Sequence, residues 1–498
     1  MARSEGTIEL RKSYLMKRLM LIASLFPFIF QAQLLPCIDG FAGEYPCDGY
    51  DLVAHLSLAQ LGSTANGNDS WGWTDPITGA DYALMGMANG TAFVELCDAE
   101  NPVILGLLPS HSGSSLWRDV KVYQDHAFIV SEAGGHGMQV FDLNQLRDVT
   151  APPVIFTETA HYGAFGSSHN IAINEASGYA YPVGTSLYDG GPVFINIQDP
   201  ENPIAAGGYD GDGYTHDAQI VIYEGPDADW NGKEICFACN ADTFTIIDVN
   251  NKMDPQEISR TGYDQVGYTH QGWLSEDHQF FFLGDEGDEN GGIGNTRTIV
   301  WDVSDLDNPL VVEYHQGTNG AIDHNMYTYN GKVYQANYTS GLRVLQINET
   351  GNPYLTEVGF FDVYPAGDPS SFSGAWSCFP YYESGLVIIS SMDRGLFVVK
   401  PSDLVLAECS PPSALNENQL EIGLRILPNP VQDELFLTWD EPIKGQLLIM
   451  DAQGKILVKE NLNAHTNAVK DLSKWSSGLY ILSIISDQGT ISKRIIKQ

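Results

Sequence analysis

A strand-and-turn phrase that recurs about every fifty residues constrains this chain more than any other feature. In most copies a hydrophobic strand ends in Asp or Asn and runs into a turn closed by proline, as in TAFVELCDAENP, PVFINIQDPENP and IVWDVSDLDNP. Strand-rich repeats of this length are typical of β-propellers, because a four-stranded blade cannot bury its faces alone. The closing residues are Pro102, Pro152, Pro203, Pro255, Pro309, Pro353 and Pro401, which lie 50, 51, 52, 54, 44 and 48 residues apart.

Each repeat also contains an earlier strand that starts with a polar cluster, as in LWRDVKVY, SSHNIAIN, YTHQGWLSED and IDHNMYTYN. Seven such strands, one of them divergent, predict an all-β chain with a seven-bladed propeller over residues 33–401. The last repeat lacks a fourth strand, whereas residues 51–62 have the character of one. We therefore expect residues 51–62 to close the last blade, because closure removes free sheet edges.

Both ends of the chain lie outside the repeats. The segment MKRLMLIASLFPFIF predicts a signal peptide within residues 1–32, with cleavage near Ala32 and with Met16 as an alternative start. No later segment is apolar enough for a membrane helix, so we expect no transmembrane segment in the mature chain. Residues 402–422 have the composition of a linker, and the short strands of residues 423–498 predict a small antiparallel β-sandwich.

Charge and cysteine content narrow the class of protein. Lys and Arg number 25 against 63 Asp and Glu, a formal charge of −38 that repels phosphate backbones and argues against nucleic-acid binding. In an exported chain we expect a local disulfide between Cys37 and Cys47. The pairing of five further cysteines stays open, namely Cys97, Cys236, Cys239, Cys378 and Cys409.

The C-terminal segment carries a specific resemblance. PNP at residues 428–430, DAQGK at residues 451–455, and SSGLYIL followed by KRIIKQ resemble the type A sorting domain of the type IX secretion system of Bacteroidetes. The resemblance implies export through the periplasm, the type IX machinery as a partner, and release from or attachment to the outer cell surface.

The repeat region carries a second resemblance. Its segments CIDGFAGEYPC, NDSWGWTDPITGADYALMG, HGMQVFDL, GPDADWNGKEICF and FSGAWSCFPYYESG resemble the choice-of-anchor B family, whose repeats are related to LVIVD repeats. The family name refers to variable C-terminal surface anchors, in agreement with a sorting domain here. The resemblance implies a surface propeller and supplies no established biochemical activity.

The starts of the inner strands and the loops after the second strands should meet on one face of a propeller, around its central channel. Four consecutive repeats place a histidine at the same position of that face. Together with nearby carboxylates they predict a mixed nitrogen and oxygen site for Zn, Mn, Fe or Cu. The alternative is that the histidines plug the channel and satisfy one another by hydrogen bonds. The metal candidates are His169, His216, His270, His324, Glu132, Asp285 and Glu286.

Other polar and aromatic residues of the same motifs are candidates for contacts to a ligand. Aromatic rings beside carboxylates and amides suit an extracellular carbohydrate or peptide, with blade packing as the alternative role. The ligand-binding candidates are Arg118, Asp119, Asn170, Asp217, Gln271, Asn325 and Trp376. The aromatic residues expected on this face are Trp71, Trp73, Trp117, Tyr214, Tyr268, Trp273 and Trp376.

A calcium turn is a separate hypothesis. The segment DADWNG offers Asp227, Asp229 and Asn231 as oxygen ligands in the spacing that opens an EF-hand loop. The twelfth position is Ala238 rather than Glu, so the segment is not an EF-hand. It remains a candidate for a surface calcium site.

Three functions are consistent with these patterns. We favour a binding scaffold with a His-lined central site, over a metal-dependent extracellular hydrolase and over a structural or adhesive surface protein. No cofactor is certain from the sequence, with a transition metal or calcium as the candidates. Because the chain contains no GxSxG, HExxH or P-loop motif, the sequence identifies no catalytic residue.

Overall fold

The structure is a computed structural model that describes residues 34–348, 351, 353–406, 424–428, 431–451, 455–476, 478–486 and 489–497. The predicted signal peptide and most of the predicted linker lie outside the described residues. Strands are the dominant regular structure of the described chain and helices are few and short, so the all-β prediction is confirmed.

Residues 50–401 form seven sheets, each with a core of four antiparallel strands, which we number blade 1 to blade 7 in chain order. The inner strands are Gly67–Thr74, Arg118–Tyr123, Asn170–Asn174, Asp217–Ile222, Thr269–Leu274, Met326–Tyr329 and Ala375–Phe379. The second strands are Asp81–Met87, His126–Ser131, Tyr179–Val183, Glu234–Asn240, Phe280–Asp285, Lys332–Ala336 and Val387–Ser391. The third strands are Gly90–Glu95, Met138–Asp142, Val193–Asn196, Thr243–Asp248, Arg297–Asp302, Leu342–Ile347 and Gly395–Pro401. The outer strands are Val103–Pro109, Ala160–Tyr162, Ile204–Gly208, Gln256–Thr261, Leu310–Gln316, Leu355–Phe361 and Tyr50–Leu56.

Burial along the strands explains why the repeat folds into stacked sheets. The second strand Phe280–Asp285 is buried at every position, because both of its faces pack against neighbouring blades. The outer strand Leu310–Gln316 instead alternates between exposed and half-buried residues, as expected for an edge that meets solvent. Near the axis, both faces of a blade are therefore hydrophobic. A blade buries these faces only when it lies between two other blades.

The seven inner strands contact one another in a closed ring, from blade 1 through blade 7 and back to blade 1. Seven clusters of the hydrophobic core are each formed by two neighbouring blades, and a further small cluster contains Ile322, Tyr338, Trp376 and Met392. Blades 1 and 2, for example, share a cluster that contains Phe93 and Phe141, whose ring centroids lie 4.7 Å apart. This arrangement is a β-propeller. It brings the starts of the seven inner strands together around one axis.

Blade 7 combines strands from opposite ends of the repeat region. Tyr50–Leu56 runs antiparallel to Gly395–Pro401 as the outer strand of that blade. A buried ion pair joins the two, with 3.0 Å between Lys400 Nζ and Asp51 Oδ2. Burial favours the neutral acid, but hydrogen bonds from Ser402, the Cys37 backbone and Lys400 outweigh it and lower the pKa of Asp51.

Several smaller elements decorate the ring. Tyr45–Asp48 and Phe41–Ala42 extend blade 6, and Val154–Ile155 pairs in parallel with the outer strand of blade 1. The short helices are Leu143–Asp148, Tyr188–Gly190 and the π-helix Glu289–Ile293.

The described cysteines divide into bonded and free residues, and Cys409 lies outside the described part of the chain. A disulfide links Cys37 to Cys47, the predicted pair, and Cys97 is also disulfide-bonded. Cys236, Cys239 and Cys378 are free and buried in the blades.

The C-terminal strands form a second unit with a core of its own. They are Arg425–Leu427, Glu434–Asp451, Ile456–Asp471, Gly478–Ser486 and Gly489–Lys497. The first part of Glu434–Asp451 pairs with Arg425–Leu427 and its last part pairs with Gly478–Ser486. Leu435 and Ile449, from the two parts, nevertheless lie in the same hydrophobic cluster. All five strands belong to one sheet, and both parts of its longest strand contribute to one core.

Candidate functional site

The inner strands give the central channel two unlike mouths, because all of them run in the same direction along the axis. The strand starts form the His mouth, which we define by His169, His216, His270, His324 and the loop carboxylates beside them. The strand ends form the aromatic mouth, which we define by Trp71, Trp273 and Tyr327 with the residues that line the same cavity.

The four histidines of the His mouth form a continuous row. Ring centroids lie 4.2 Å apart for His169 and His216, 4.2 Å for His216 and His270, and 4.4 Å for His270 and His324. Successive histidines, which are 47, 54 and 54 positions apart in the sequence, come together because each occupies the equivalent start of the next inner strand. Trp376, at the same position of blade 7, continues the row with its ring centroid 5.0 Å from that of His324.

Backbone carbonyls fix the tautomers of two of these rings. The Nδ1 atom of His216 lies 3.1 Å from the carbonyl oxygen of His270, and the Nδ1 atom of His324 bonds to the carbonyl oxygen of Trp376. A carbonyl only accepts, so both Nδ1 atoms carry the proton and both Nε2 atoms keep a lone pair. The Nδ1 atom of His270 is buried and has no hydrogen-bond partner in the described chain. Within the described residues, no side-chain hydrogen bond joins one of the four rings to another.

Glu286 completes the centre of the His mouth. Its Oε2 atom lies 4.0 Å from His270 Nε2 and its Oε1 atom lies 3.8 Å from His324 Nε2. The hydroxyl of Tyr338, a residue that the sequence patterns did not single out, donates to Glu286 Oε1 at 2.8 Å. One ligand atom each from His270, Glu286 and His324 lies within 4.8 Å of the other two. That separation fits a single ion bound at about 2.0–2.4 Å by three groups.

Burial sets the protonation of this group. It lowers the pKa of His216 and His270 well below the usual value, and that of His324 to about 3. Neighbouring imidazoles add to the effect in each case. Burial also raises the pKa of Glu286, against a smaller opposing effect of the Tyr338 hydrogen bond. The imidazoles of His216, His270 and His324 are therefore neutral at pH 7, which is the form that ligates metals.

The two remaining metal candidates have different surroundings. Glu132 binds the end of the row, with 2.7 Å between its Oε1 atom and His169 Nδ1. Asp285 does not face the histidines. Its carboxylate accepts hydrogen bonds from the backbone N–H groups of Gly267 and Tyr268. Asp285 therefore fixes the loop that contains these two residues.

Two of the predicted ligand-binding residues are used within the fold instead. Arg118 lies between blades 1 and 2, where its guanidinium donates to Met87 O at 3.0 Å and to Ser110 Oγ at 2.7 Å. Its side chain thus turns away from the channel, although it starts at the histidine position. The Gln271 amide pairs with both backbone groups of Met326 and links blade 5 to blade 6.

A buried charge cluster fills the channel between the mouths. Lys121, missed at the sequence level, bonds Asp119 Oδ1 at 2.6 Å. Burial opposes its charge, but Asp119, Asp69 and Asp217 outweigh that effect and raise the pKa of Lys121. Burial raises the pKa of Asp69 well above its usual value and that of Asp217 to about 7.

The last two amide candidates are structural partners in this region. Asn325 Nδ2 donates to Asp69 Oδ2 at 3.3 Å, and Asn170 Nδ2 donates to the carbonyl oxygen of His216 at 3.1 Å. Both tie inner strands of different blades together below the His mouth.

The aromatic residues do not share one face, contrary to the expectation from sequence. Trp117 and Tyr214 are exposed by 41% and 38% among the loops of the His mouth. Trp273 follows His270 by three residues on one inner strand, a distance of about 10 Å along the channel. It therefore lies at the aromatic mouth with Trp71.

The calcium candidates are only partly brought together. Asp227 lies close to Asp305 and Asp307, with ligand atoms within 4.8 Å of one another, in an exposed acidic turn. Asp229 and Asn231 do not belong to that group. Their backbone N–H groups instead donate to Asp227, which shapes the turn.

Comparisons with known proteins bear chiefly on the C-terminal unit. Residues 425–498 match the family of secretion system C-terminal sorting domains. This match supports the predicted sorting domain and indicates a secreted or cell-surface protein. No protein of curated function matches the chain.

Several solved structures with low sequence identity are similar to the chain. The β-propeller domain of Cps50 (Swd1) from Myceliophteria thermophila is 11% identical, with 68% of this chain and 99% of that chain covered and a TM-score of 0.43. A Lactobacillus plantarum protein is 13% identical, with 82% and 99% covered and a TM-score of 0.45. The extracellular domain of a putative one-component system from B. thetaiotaomicron is 13% identical, with 89% and 58% covered and a TM-score of 0.43. The fold assignment rests on the sheet topology described above.

Among the described residues, no helix combines the length and the apolar character that are needed to cross a membrane.

Proposed function

We propose that this protein is an exported surface propeller that binds a transition-metal ion in its His mouth and presents that ion to an extracellular ligand. The observation that carries the proposal is the meeting of His270, Glu286 and His324 within the span of one ion. In keeping with the motif resemblance, we assign the segment from about Cys37 to Lys400 to the choice-of-anchor B family, within a propeller over residues 33–401, with a linker over 402–422 and the sorting domain over 423–498.

The hydrogen bonds around the row support metal binding over a plug of mutually bonded side chains. Because His324 donates through Nδ1 to a backbone carbonyl, its Nε2 lone pair is directed elsewhere, 3.8 Å from Glu286 Oε1. His270 likewise has its Nε2 atom 4.0 Å from Glu286 Oε2, while its buried Nδ1 atom has no partner among the described residues. An ion between these groups would bind the Nε2 atoms of both rings.

The donor set suits zinc, manganese, iron or copper. Two imidazoles and one carboxylate form a mixed nitrogen and oxygen set, and three protein ligands keep at least one coordination position open. Glu286 is about one-fifth exposed, at 18%, so the site communicates with solvent at the mouth. A ligand from solution can therefore reach the ion.

Metal analysis of the purified full chain tests the proposal. We expect about one equivalent of a transition metal after reconstitution and dialysis, lost in the double variant His270→Ala and His324→Ala. The matched control is His111→Ala with His161→Ala, a stacked pair of histidines at 3.6 Å outside the row. Retention of metal by the first double variant, or equal loss in the control, would refute the site.

Metal-dependent hydrolysis is the second candidate, because three ligands with an open position are also the arrangement of catalytic zinc sites. We expect a hydrolase to turn over chromogenic ester, phosphoester or peptide substrates when metal is added. Stoichiometric metal without turnover would leave the binding function as the better description.

Export is tested by removing residues 423–498. The propeller has its own ring of clusters and should remain folded without that segment, but it should accumulate in the periplasm. Cell fractionation measures the outcome, and normal secretion of the truncated chain would contradict the role proposed for the sorting domain.

A further inference from the structure

We propose that the aromatic mouth is a second binding site, which takes a small organic ammonium cation. The site is independent of the metal proposed for the His mouth, because it lies at the other end of the inner strands and shares none of its ligands.

The aromatic mouth contains a defined cavity of about 250 Å³. Its walls include Trp71, Trp273 and Tyr327, with Lys121 and Asp217 among the polar lining residues. Pockets for drug-sized ligands are usually about 300–1,000 Å³, so this cavity suits a compact ligand.

The aromatic residues form one continuous wall. Tyr327 contacts both indoles edge to face, with ring centroids 5.5 Å from Trp71 and 5.0 Å from Trp273. Tyr327 is almost fully buried, whereas both tryptophans are only half-buried and line the cavity. Fixed, partly accessible indole rings are the preferred partners of ammonium groups in proteins.

The chain already places an ammonium group against this wall. Lys121 Nζ lies 4.7 Å from the ring centroid of Trp71 while it bonds Asp119 at 2.6 Å. The same combination of an indole face and a carboxylate is what a free ammonium ion would require.

Charge favours a cation over a neutral or anionic ligand. Asp119 offsets the charge of Lys121, which leaves Asp217 on the cavity wall and Glu175 at its exposed rim. Among the described residues no Lys, Arg or His lies within ion-pair distance of Asp217 or Glu175. Asp217, whose pKa burial raises to about 7, carries only part of a negative charge at pH 7. The negative potential at the cavity therefore comes chiefly from Glu175 at the rim and from the formal charge of −38 of the chain.

Calorimetric titration of the full chain with choline tests the proposal. The control probe is 3,3-dimethylbutan-1-ol, which has the same shape without the charge, and a second control is glucose. We expect choline to bind at least tenfold more tightly than either. Equal binding of the uncharged alcohol, preference for glucose, or no binding of choline would overturn the proposal.

Variants locate the binding. Asp217→Asn and Trp273→Leu should each weaken choline binding about tenfold or more, while Trp117→Leu at the His mouth should leave it unchanged. Because Asp217 lies in the interior of the ring, Glu175→Gln at the exposed rim provides a second charge variant, for which we expect a several-fold loss. Unchanged affinity in Trp273→Leu and Glu175→Gln would overturn the site. Chelator-treated protein should bind choline normally, which separates this result from failure of the metal proposal.

Discussion

The two mouths of the channel are built from the same seven strands and are stabilised in opposite ways. At the His mouth, buried imidazoles each need a hydrogen bond, and two of them take it from the backbone of the next blade. At the aromatic mouth, Trp71 and Trp273 contact Tyr327 and need no such partner. The histidine row is therefore sensitive to protonation, whereas the contacts among Trp71, Trp273 and Tyr327 are sensitive to loss of contact area.

The difference shows how one repeat supports two kinds of site. Strand starts converge side by side, so a residue repeated in consecutive blades becomes a cluster. At the strand ends, a large ring can reach past the neighbouring blade. Trp71 of blade 1, for example, contacts Tyr327 of blade 6.

The largest expected loss of stability comes from the buried ion pair that lies between the two mouths. Lys121→Met removes the amine that lies between them and leaves Asp119 buried without its partner, 1% exposed. Removal of one member of a buried ion pair costs about 3–5 kcal/mol. Urea unfolding should show this loss, while Lys233→Met, which removes a surface pair of 3.8 Å, should cost no more than about 1 kcal/mol. A loss in Lys121→Met as small as in the control would show that the channel charge is solvated.

Acid should destabilise the His mouth selectively. The pKa of His324 is about 3 in the folded chain and about 6.5 when unfolded, so between these values the unfolded state binds more protons. Stability is then full above pH 6.5 and falls below it, by about 1.4 kcal/mol per pH unit for each such histidine. Urea unfolding of chelator-treated protein from pH 7 to 4.5 measures the slope.

The matched variants for this experiment come from the two mouths. His324→Gln should reduce the slope by about one proton. Trp273→Leu should leave it unchanged. An equal slope in His324→Gln and the unmodified chain would mean that the ring is not held neutral by burial.

A smaller loss of stability is expected when a residue of the aromatic mouth is replaced. Trp273→Leu keeps an apolar side chain but loses the edge-to-face contact with Tyr327, 5.0 Å between ring centroids. Such contacts contribute about 0.5–1.5 kcal/mol, so thermal or urea unfolding should show a loss in that range. A loss above about 3 kcal/mol would indicate that Trp273 is a core residue rather than a wall of the cavity.

The smallest effect should come from Trp117, which is 41% exposed beside the His mouth. Its replacement by Ala should change stability by no more than about 0.5 kcal/mol, because it removes little buried area. A larger loss would mean that this ring covers the histidine row.

The sequence was sufficient to predict the histidine row, because the position of each ring follows from repeat spacing alone. His216 and His270 are 54 residues apart in the sequence, and their rings lie 4.2 Å apart. The all-β class follows from the same periodicity. The missing fourth strand of the last repeat likewise indicates which segment lies beside Gly395–Pro401.

The direction of individual side chains was beyond sequence reasoning. Arg118 occupies the histidine position of blade 2, but its long side chain finds three polar partners between blades and leaves the channel. The sequence does not show how far along the channel a residue lies. His270 and Trp273 were therefore expected on one face, although the six-residue strand Thr269–Leu274 places them near opposite mouths. Glu286 and Asp285 are adjacent, and only the loop conformation decides which one meets the imidazoles.

The strand Tyr50–Leu56 has a consequence for the order of events during synthesis. Its partner, Gly395–Pro401, is made some 340 residues later, so the circle of blades stays open until nearly all of its residues exist. The segment that marks the chain for secretion is made later still. Every molecule that contains the sorting segment therefore already contains both strands that close the ring, and chains that end early lack that segment.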